Sequence, residues 1–310
     1  MLLNIHKPSG RTSRDVVDEI QRLVYPLRCG HAGTLDPLAT GVLVVCIDSA
    51  TRLVPFLHEL PKTYRATFLT GCRSDTDDVE GDIEQLHETP AVTRAGLQEL
   101  LPQYLGDIMQ VPPRYSAVKV QGKRAYTLAR TGQEVEIQPR TVSIHHLQLL
   151  DVQEDSFSLE VECGTGTYIR SLGRDLAVDL GSCAVMSELA RTSTGLFRIE
   201  DAVELDELTA ENWRDCAQPL LSALPHLPRI PLEGEAADRA QRGQPLTIAP
   251  ELYPLPEIQP PLLTDANIRV GDRDSNYIAA IEGDGELLAL LSERNGRYWP
   301  RIVFPRARRI

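Results

Sequence analysis

Asp36 lies in the stretch of the chain with the most distinctive chemistry, twelve residues that read GHAGTLDPLATG from Gly30 to Gly41. Glycines permit backbone conformations that are closed to other residues and let a ligand approach the backbone closely. Pro37 restricts Asp36 to extended geometry, so its carboxylate should point in one fixed direction. A carboxylate held this way is a candidate nucleophile. An isolated Asp-Pro dipeptide is more often an ordinary turn. The prediction that Asp36 is a nucleophile therefore depends on the whole twelve-residue stretch.

Three further motifs combine a cation, a ring or a carboxylate with turn residues. They are Lys62-Thr63-Tyr64-Arg65, Ser74-Asp75-Thr76-Asp77-Asp78 and Gly166-Thr167-Tyr168-Ile169-Arg170. A guanidinium such as that of Arg170 can hold a carboxylate through two parallel hydrogen bonds. The sequence contains no H-E-x-x-H, Walker A or G-x-S-x-G pattern, so metalloprotease, nucleotide hydrolase and serine hydrolase functions lack support.

Length and composition place the chain among globular proteins. It has 310 residues, 42% of them hydrophobic and 25% charged, which predicts two domains with sizeable cores. No apolar run reaches the ~20 residues of a membrane helix, and the apolar start is too short for a signal peptide. The six cysteines form no C-x-x-C pair, so neither a zinc site nor a disulfide framework is predicted. We therefore expect a cytoplasmic protein.

The charge is unevenly distributed. The net charge of −12 argues against generic nucleic-acid binding. Residues 110–145 nevertheless carry six Lys or Arg against two Glu, and the last twenty residues carry six Arg against one Glu. Such runs are commonly solvated faces. They also permit a specific polyanionic partner.

The elements that must position the motifs alternate without a steady βαβ repeat. Thr12 and Asp15 form a capping-box pattern before a helical apolar stripe. Strands are predicted at 2–6, 42–47, 63–70 and 157–163, and helices near 93–104 and at 167–180, where Gly181 provides the C-cap. This mixture favours the α+β class over a doubly wound α/β fold.

The composition changes near residue 218. Residues 218–231 combine prolines with short apolar groups, which predicts a linker or a loosely packed connection. Beyond it, strands are predicted at 277–281, 287–291 and 302–304, with a proline-rich loop at 250–261. We therefore divide the chain into a domain at 1–227 and a small β-rich domain at 231–310.

The four motifs, in this order, resemble those of the TruB family of tRNA pseudouridine synthases. Lys7-Pro8-Ser9-Gly10 and Tyr115-Ser116-Ala117-Val118-Lys119 also fit. The resemblance covers residues 1 to about 200 and extends loosely through the C-terminal part, which is similar to the PUA-like RNA-binding domain of the family. His6, where the family often has an acidic residue, and the proline-rich segment 250–261 depart from the pattern.

The resemblance implies an α+β catalytic domain with a mixed, mainly antiparallel sheet, followed by a small PUA-like β domain. It implies that the uridine at tRNA position 55, in the T loop, becomes pseudouridine with Asp36 as nucleophile, without cofactor or metal. Attack on C1′, addition to the base and removal of a sugar proton all remain open as the role of the carboxylate.

Roles for other residues follow from the same resemblance. Arg170 would pair with Asp36, and Asp78 would hold Arg170, unless Asp78 is a solvated carboxylate in an acidic turn. Tyr64 would stack on the flipped base, and His31 would insert beside the opened loop.

Four further residues complete the predicted site. Tyr168 and Leu189 would form walls of the pocket, with a plain core role as the alternative. Lys62 and Lys119 would contact phosphates, with ordinary surface charges as the alternative.

The expected partner is the T arm of tRNA. We expect a monomer with no membrane association and no obligate protein partner. Two alternatives remain: a guide-RNA-dependent pseudouridine synthase, and an RNA-binding or tRNA-folding module that does not require catalysis. Activity on a bare T-arm hairpin discriminates both alternatives from the main prediction.

Overall fold

The computed structural model describes residues 1–86, 88–116, 119–120, 123–124, 137–247, 277–283 and 285–306. Within these ranges the helices are α1 (Ser13–Leu23), α2 (Val54–Glu59), α3 (Arg94–Leu100), α4 (Ile169–Asp179) and α5 (Gly234–Gln241). The strands are β1 (Leu2–Lys7), β2 (Cys29–His31), β3 (Thr40–Ile47), β4 (Lys62–Thr70), β5 (Cys72–Arg73), β6 (Glu84–Gln85), β7 (Gly106–Gln110), β8 (Lys119–Val120), β9 (Lys123–Arg124), β10 (Arg140–Val152), β11 (Ser156–Cys163), β12 (Ala184–Thr194), β13 (Phe197–Arg198), β14 (Val203–Glu204), β15 (Arg229–Pro231), β16 (Tyr277–Ile281), β17 (Leu287–Arg294) and β18 (Arg297–Val303).

The chain divides into two compact units. The first comprises Met1–Pro37, Gly41–Leu60 and Ser193–Ile310, and the second comprises Leu38–Thr40 and Pro61–Thr192. The domains predicted at 1–227 and 231–310 stay a prediction, and the proline-rich segment 250–261 lies outside the described residues. In the described part of the chain, no helix has the length and apolar character needed to span a membrane.

Helix α1 of the first unit begins where the capping-box pattern predicts. The Thr12 hydroxyl accepts a hydrogen bond from the Asp15 amide at 3.1 Å, and the Asp15 carboxylate accepts one from the Thr12 amide at 2.8 Å. Val16 and Ile20 are fully buried on one side of α1 and join a core with Leu43 of β3. A capped, packed helix therefore fixes the position of its first residue, which the candidate site uses.

The strands of the first unit form mixed, mainly antiparallel pairings, as predicted. β1 runs antiparallel to β3 and parallel to β14, and β2 runs antiparallel to β3. A separate small sheet near the C-terminal end has the order β15-β16-β17-β18, with one parallel and two antiparallel pairings. The predicted α+β class is confirmed.

The segment 218–231 is part of a core, so the prediction of a loosely packed connection was wrong. Ala223 and Leu224 are fully buried, and they share a hydrophobic cluster with Leu57 of α2 and Phe304 after β18. The prolines interrupt regular structure there, but the leucines between them supply enough apolar surface to bury the segment.

His226 lies in this packed segment as a half-buried residue whose two ring nitrogens are buried. Within the described residues, neither ring nitrogen has a hydrogen-bond partner, and burial lowers the pKa of His226 to about 4. The unfolded chain has the ordinary histidine pKa of about 6.5. The unfolded state therefore binds more protons between these two values, so folding stability decreases as the pH falls from about 6.5 towards about 4.

We expect His226→Leu to remove this pH dependence. Near pH 5 the variant should be more stable than the wild type by about 1–2 kcal/mol, measured by denaturant unfolding at pH 7.5 and pH 5. His146→Leu, at an exposed histidine of β10, serves as the matched control and should leave the dependence intact. An unchanged pH dependence in His226→Leu would contradict this account.

The second unit is built on strands in the order β12-β4-β11-β10-β7. Along β4, Tyr64 and Phe68 lie on the same face because side chains alternate along a strand. Helix α4 packs closely on this face at Gly173, where an added Cβ would lie only 2.0 Å from the Phe68 ring. The glycine therefore allows the helix that carries Arg170 to approach the strand that carries Tyr64.

Candidate active site

Helix α1 fixes the backbone on the N-terminal side of Asp36. The Ser13 side chain is buried, and its hydroxyl accepts a hydrogen bond from the Leu35 amide at 2.8 Å and donates one to the Leu35 carbonyl at 3.1 Å. One hydroxyl thus satisfies both backbone groups of the residue before Asp36. Leu35 itself is buried, which anchors this side of the loop further.

Lys7 at the end of β1 and Gly10 three residues later fix the C-terminal side of Asp36. The Pro37 carbonyl accepts hydrogen bonds from the Gly10 amide at 2.8 Å and from the Lys7 ammonium at 3.1 Å. Lys7 is fully buried and also donates to the Pro8 carbonyl at 2.9 Å. The Lys7-Pro8-Ser9-Gly10 motif therefore supports the loop, and Asp36 is half-buried between the two anchors. These contacts hold the backbone on both sides of Asp36, and the direction of its carboxylate stays a prediction.

Arg170 is the second residue of α4 and is almost completely buried. Its guanidinium donates to the Thr76 carbonyl at 2.8 Å, to the Asp78 carboxylate at 3.1 Å and to the Tyr115 carbonyl at 3.2 Å. The three acceptors come from two separate loops. The side chain is therefore held in a single position by the Ser74–Asp78 motif and the Tyr115 segment.

Asp78 is a buried ion-pair partner and not a solvated carboxylate, because only 2% of its surface is exposed. Besides Arg170, it accepts hydrogen bonds from the Thr76 hydroxyl at 2.6 Å and the Glu80 amide at 3.0 Å. These hydrogen bonds hold the buried carboxylate in one orientation. The contact between Asp78 and Arg170 is the one that the family resemblance implies.

β4 and β12 place three more of the predicted residues. Tyr64 is half-buried on β4 opposite Val161, and Leu189 of β12 is buried. Lys62 is only 6% exposed, so it is not an ordinary surface charge. Its predicted phosphate contact would require the ammonium group to reach solvent.

The remaining predicted residues are placed as follows. His31 is the last residue of β2 and lies half-buried opposite Val45. Tyr168 is half-buried directly before α4. Lys119 lies in β8, which pairs antiparallel with β9, and its side chain lies outside what the structure describes. Asp36 and His31 belong to the first unit, whereas Tyr64, Asp78, Tyr168, Arg170 and Leu189 belong to the second.

A second ion pair lies one turn further along α4. Arg174 contacts the Asp77 carboxylate at 2.7 Å, and burial raises the pKa of Asp77 despite this partner. Asp77 has a φ of +60°, which is uncommon for a non-glycine residue and is often found at functional sites. Both residues line a cleft of about 700 Å³ whose other lining residues are Arg73, Ser74, Asp75, Asp82, Glu84, Val111, Pro112, Arg114 and Ile137.

Sequence reasoning missed several residues that hold the site. Ser13 anchors Leu35, and Gln110 and Arg140 contact the segment before α4. In the sequence, Arg140 is only one of the six Lys or Arg residues in the segment 110–145. For Gln110, the only sequence signal of a role in the site was its position five residues before the Tyr115 motif.

Two protein-family models match consecutive parts of the chain. The model described as the N-terminal domain of the TruB family pseudouridylate synthases matches residues 21–169. The model described as the tRNA pseudouridylate synthase B C-terminal domain matches residues 170–226. The motifs around Asp36, Tyr64 and Asp78 lie in the first match, and Arg170 begins the second.

Solved structures of related fold cover nearly the whole chain. A structure described as a Cbf5-Nop10-Gar1 complex has a TM-score of 0.68 at 27% identity and covers 94% of this chain and 77% of that chain. An H/ACA RNP bound to a substrate RNA containing 2′-deoxyuridine has a TM-score of 0.70 at 23% identity and covers 98% of this chain and 85% of that chain. The second similarity supports the fold alone.

Curated relatives agree with the family models. A protein named tRNA pseudouridine synthase B from Synechococcus sp. is 40% identical over 272 residues, which cover 86% of this chain and 90% of the relative. A protein of the same name from Dehalococcoides mccartyi is 37% identical over 309 residues, which cover 98% of this chain and 96% of the relative. The chain is therefore an enzyme that belongs to the TruB family of pseudouridylate synthases.

Proposed function

We propose that this enzyme converts the uridine at position 55 in the T loop of tRNA to pseudouridine, with Asp36 as nucleophile. The observation that carries the proposal is the double anchoring of the Asp36 loop, by Ser13 on one side and by Lys7 and Gly10 on the other. The names of the relatives support tRNA as the substrate. We also propose that the enzyme acts as a cytoplasmic monomer without an obligate protein partner.

The reaction is an isomerisation. The N1–C1′ bond breaks, the base rotates, C5 bonds to C1′, and the proton lost from C5 is balanced by a proton gained at N1. No electrons or external groups are exchanged, so the proposed reaction requires no cofactor or metal. The protein must hold the base, aim a carboxylate and handle one proton.

Asp36 supplies the carboxylate in this proposal. Attack on C1′ would give a glycosyl ester as in retaining glycosidases, and the alternatives are addition to the base or removal of a sugar proton. We propose that the Arg170 guanidinium pairs with this carboxylate and keeps it ionised. The buried contacts of Arg170 with Asp78 and Thr76 support a fixed guanidinium.

The target base must leave the stacked T loop before it reacts, which costs a few kcal/mol. We propose that the half-buried ring of Tyr64 stacks on the flipped base and restores part of this energy. Tyr168 and Leu189 would line the pocket, and His31 would support the opened loop. Binding of this kind reads RNA mainly through shape and stacking.

A minimal substrate tests the proposal. Purified protein, with a chelator present, should form pseudouridine at the T-loop uridine of an unmodified T-arm hairpin. A hairpin of the same composition with a scrambled loop is the matched control and should remain unmodified. If neither RNA is modified although both bind, the proposed substrate is wrong.

The similarity to the structure described as a Cbf5-Nop10-Gar1 complex favours one second candidate, a synthase that works with protein partners and a guide RNA. Such an enzyme would be inactive on the bare hairpin and would become active when a guide RNA and its protein partners are added. The hairpin experiment therefore separates the two functions.

We further propose that residues 231–310 act as a PUA-like RNA-binding domain. Arg297, Trp299 and Arg301 alternate along β18 and are all exposed, and in the described part of the small sheet β18 is an edge strand. Alternate positions on a regular strand share a face, which places Arg297 beside Trp299, whereas Arg301 lies at the register shift between β17 and β18. An indole beside a guanidinium group combines a stacking surface with a phosphate contact.

Removal of these side chains should weaken the binding of full-length tRNA. Trp299→Ala should cost about 1–3 kcal/mol of binding free energy, and Arg297→Gln with Arg301→Gln should lower the salt dependence of log Kd by about one unit per contact. Arg22→Gln, at an exposed arginine of α1, is the matched control and should leave both quantities unchanged. If Arg22→Gln weakened tRNA binding as much as the β18 variants do, the loss would be a general charge effect and the proposed role of β18 would be wrong.

A further inference from the structure

We propose that Gln110 and Arg140 are positioning residues that fix the start of α4 and thereby the placement of Arg170. This inference rests on the proposed function, because it assigns Arg170 to the reaction. The two residues lie opposite each other at the ends of β7 and β10. Both reach the three-residue segment from Gly166 to Tyr168 that leads into α4.

Gln110 holds the backbone of the residue at which α4 begins. Tyr168 is the N-cap residue of α4, yet its own side chain makes no capping hydrogen bond. The Gln110 side chain instead accepts a hydrogen bond from the Tyr168 amide at 2.8 Å and donates one to the Tyr168 carbonyl at 3.0 Å. Gln110 is only 1% exposed, so these bonds form away from competing water. Both backbone groups of Tyr168 are thus tied to β7.

Arg140 fixes the same segment from its other side. Its guanidinium donates to the Gly166 carbonyl at 2.6 Å and lies over the Tyr168 ring, 4.9 Å from the centroid. A planar guanidinium can stack on a ring and donate a hydrogen bond at the same time, which an ammonium group cannot. Arg140 therefore contacts both the backbone at Gly166 and the ring of Tyr168 before α4.

The residue after Gln110 extends this contact along the helix. The Val111 carbonyl accepts hydrogen bonds from the Ser171 hydroxyl at 2.9 Å and from the Arg174 guanidinium at 3.0 Å. Arg170 lies between Tyr168 and Ser171, so contacts with Gln110 at the end of β7 and with Val111 directly after it bracket its backbone. Its guanidinium is held separately by Asp78, Thr76 and Tyr115. A shift of the helix start would act directly on the placement of this side chain.

The test compares the rate of the chemical step with RNA affinity. Gln110→Met keeps the length of the side chain and removes both hydrogen bonds, and Gln110→Glu keeps only the acceptor. Small misplacements of a catalytic group reduce rates by up to about 100-fold. We expect the single-turnover rate to fall between about 10-fold and about 100-fold in Gln110→Met and by less in Gln110→Glu, with the Kd for T-arm RNA within about twofold of the wild type. Arg140→Lys should also slow the reaction without changing the Kd.

Thr93→Ala is the matched structural control. It removes the N-cap hydrogen bond of α3 to the Gly96 amide and should lower the Tm without changing the single-turnover rate well below the Tm. A wild-type rate in folded Gln110→Met, or a loss confined to the Kd, would overturn the positioning role. If Gln110→Met does not fold, the single-turnover rates and Kd values of Gln110→Glu and Arg140→Lys test the positioning role in the same way. A wild-type enzyme that forms no pseudouridine would instead refute the proposed function.

Discussion

Asp36→Asn should abolish pseudouridine formation while leaving RNA binding nearly intact. The amide has almost the shape of the carboxylate, so the anchors at Leu35 and Pro37 should hold the loop unchanged. It cannot act as the anionic nucleophile. Loss of a nucleophile lowers turnover by roughly 10⁴-fold to 10⁶-fold in well-studied enzymes. We expect a loss of that size in the single-turnover rate, with the Kd for T-arm RNA changed by less than about threefold.

Asp18→Asn is the matched control for this substitution. Asp18 lies on α1 in an exposed ion pair with Arg14, and its replacement should leave the rate unchanged. If Asp36→Asn kept a tenth of the wild-type rate, the carboxylate would not be the nucleophile.

The same variant tests a function in tRNA folding that does not require catalysis. An enzyme that opens and recloses the T loop has the means to accelerate tRNA refolding. Asp36→Asn that binds RNA but does not accelerate refolding would remove this alternative. Acceleration by the inactive variant would support it as a second activity.

Arg170→Met should combine a large loss of stability with a large loss of activity. The substitution leaves the Asp78 carboxyl group, which is 2% exposed, without its ion-pair partner. Breaking a buried ion pair in this way typically costs about 3–5 kcal/mol. The reaction should slow by at least about 100-fold if Arg170 also holds the nucleophile, because misplacement of a reacting group has effects of this size. Denaturant unfolding and single-turnover rates measure the two losses separately.

The double variant Arg170→Met with Asp78→Asn separates the two roles. Removal of the buried charge together with its partner should recover much of the stability. It should recover none of the activity, because no guanidinium is restored. Arg14→Met, which breaks an ion pair on the surface of α1, should cost no more than about 0.5 kcal/mol. Recovery of activity in the double variant would show that Arg170 has only a structural role.

The local parts of this architecture were predictable from the sequence. The capping box of Thr12 and Asp15 predicted the start of α1, and Gly181, with a φ of +75°, follows the end of α4 as its C-cap pattern predicts. The Asp36 stretch was recognisable because glycines and a proline beside a carboxylate limit the backbone within a few residues. These signals depend on neighbours in sequence, so no knowledge of the fold was needed.

Contacts between distant segments were not predictable in this way. Gln110 meets Tyr168 across 58 positions and Arg140 meets Gly166 across 26, and neither pair leaves a local pattern. The burial of Lys62 was not predictable for the same reason, because the pairing of β4 with β11, a strand distant in sequence, determines its neighbours. The segment 218–231 was wrongly predicted to be loosely packed because its prolines are typical of linkers. The burial of its leucines depends on residues far along the chain, which the local sequence does not show.

Release of tritium from RNA that carries 5-tritiated uridine only at the T-loop target tests the central claim most directly. Formation of the bond between C5 and C1′ must expel the hydrogen at C5. The account predicts one tritium released per RNA by the wild-type enzyme in the presence of chelator, in step with pseudouridine formation. No release from this RNA under conditions in which the enzyme binds it would contradict the account.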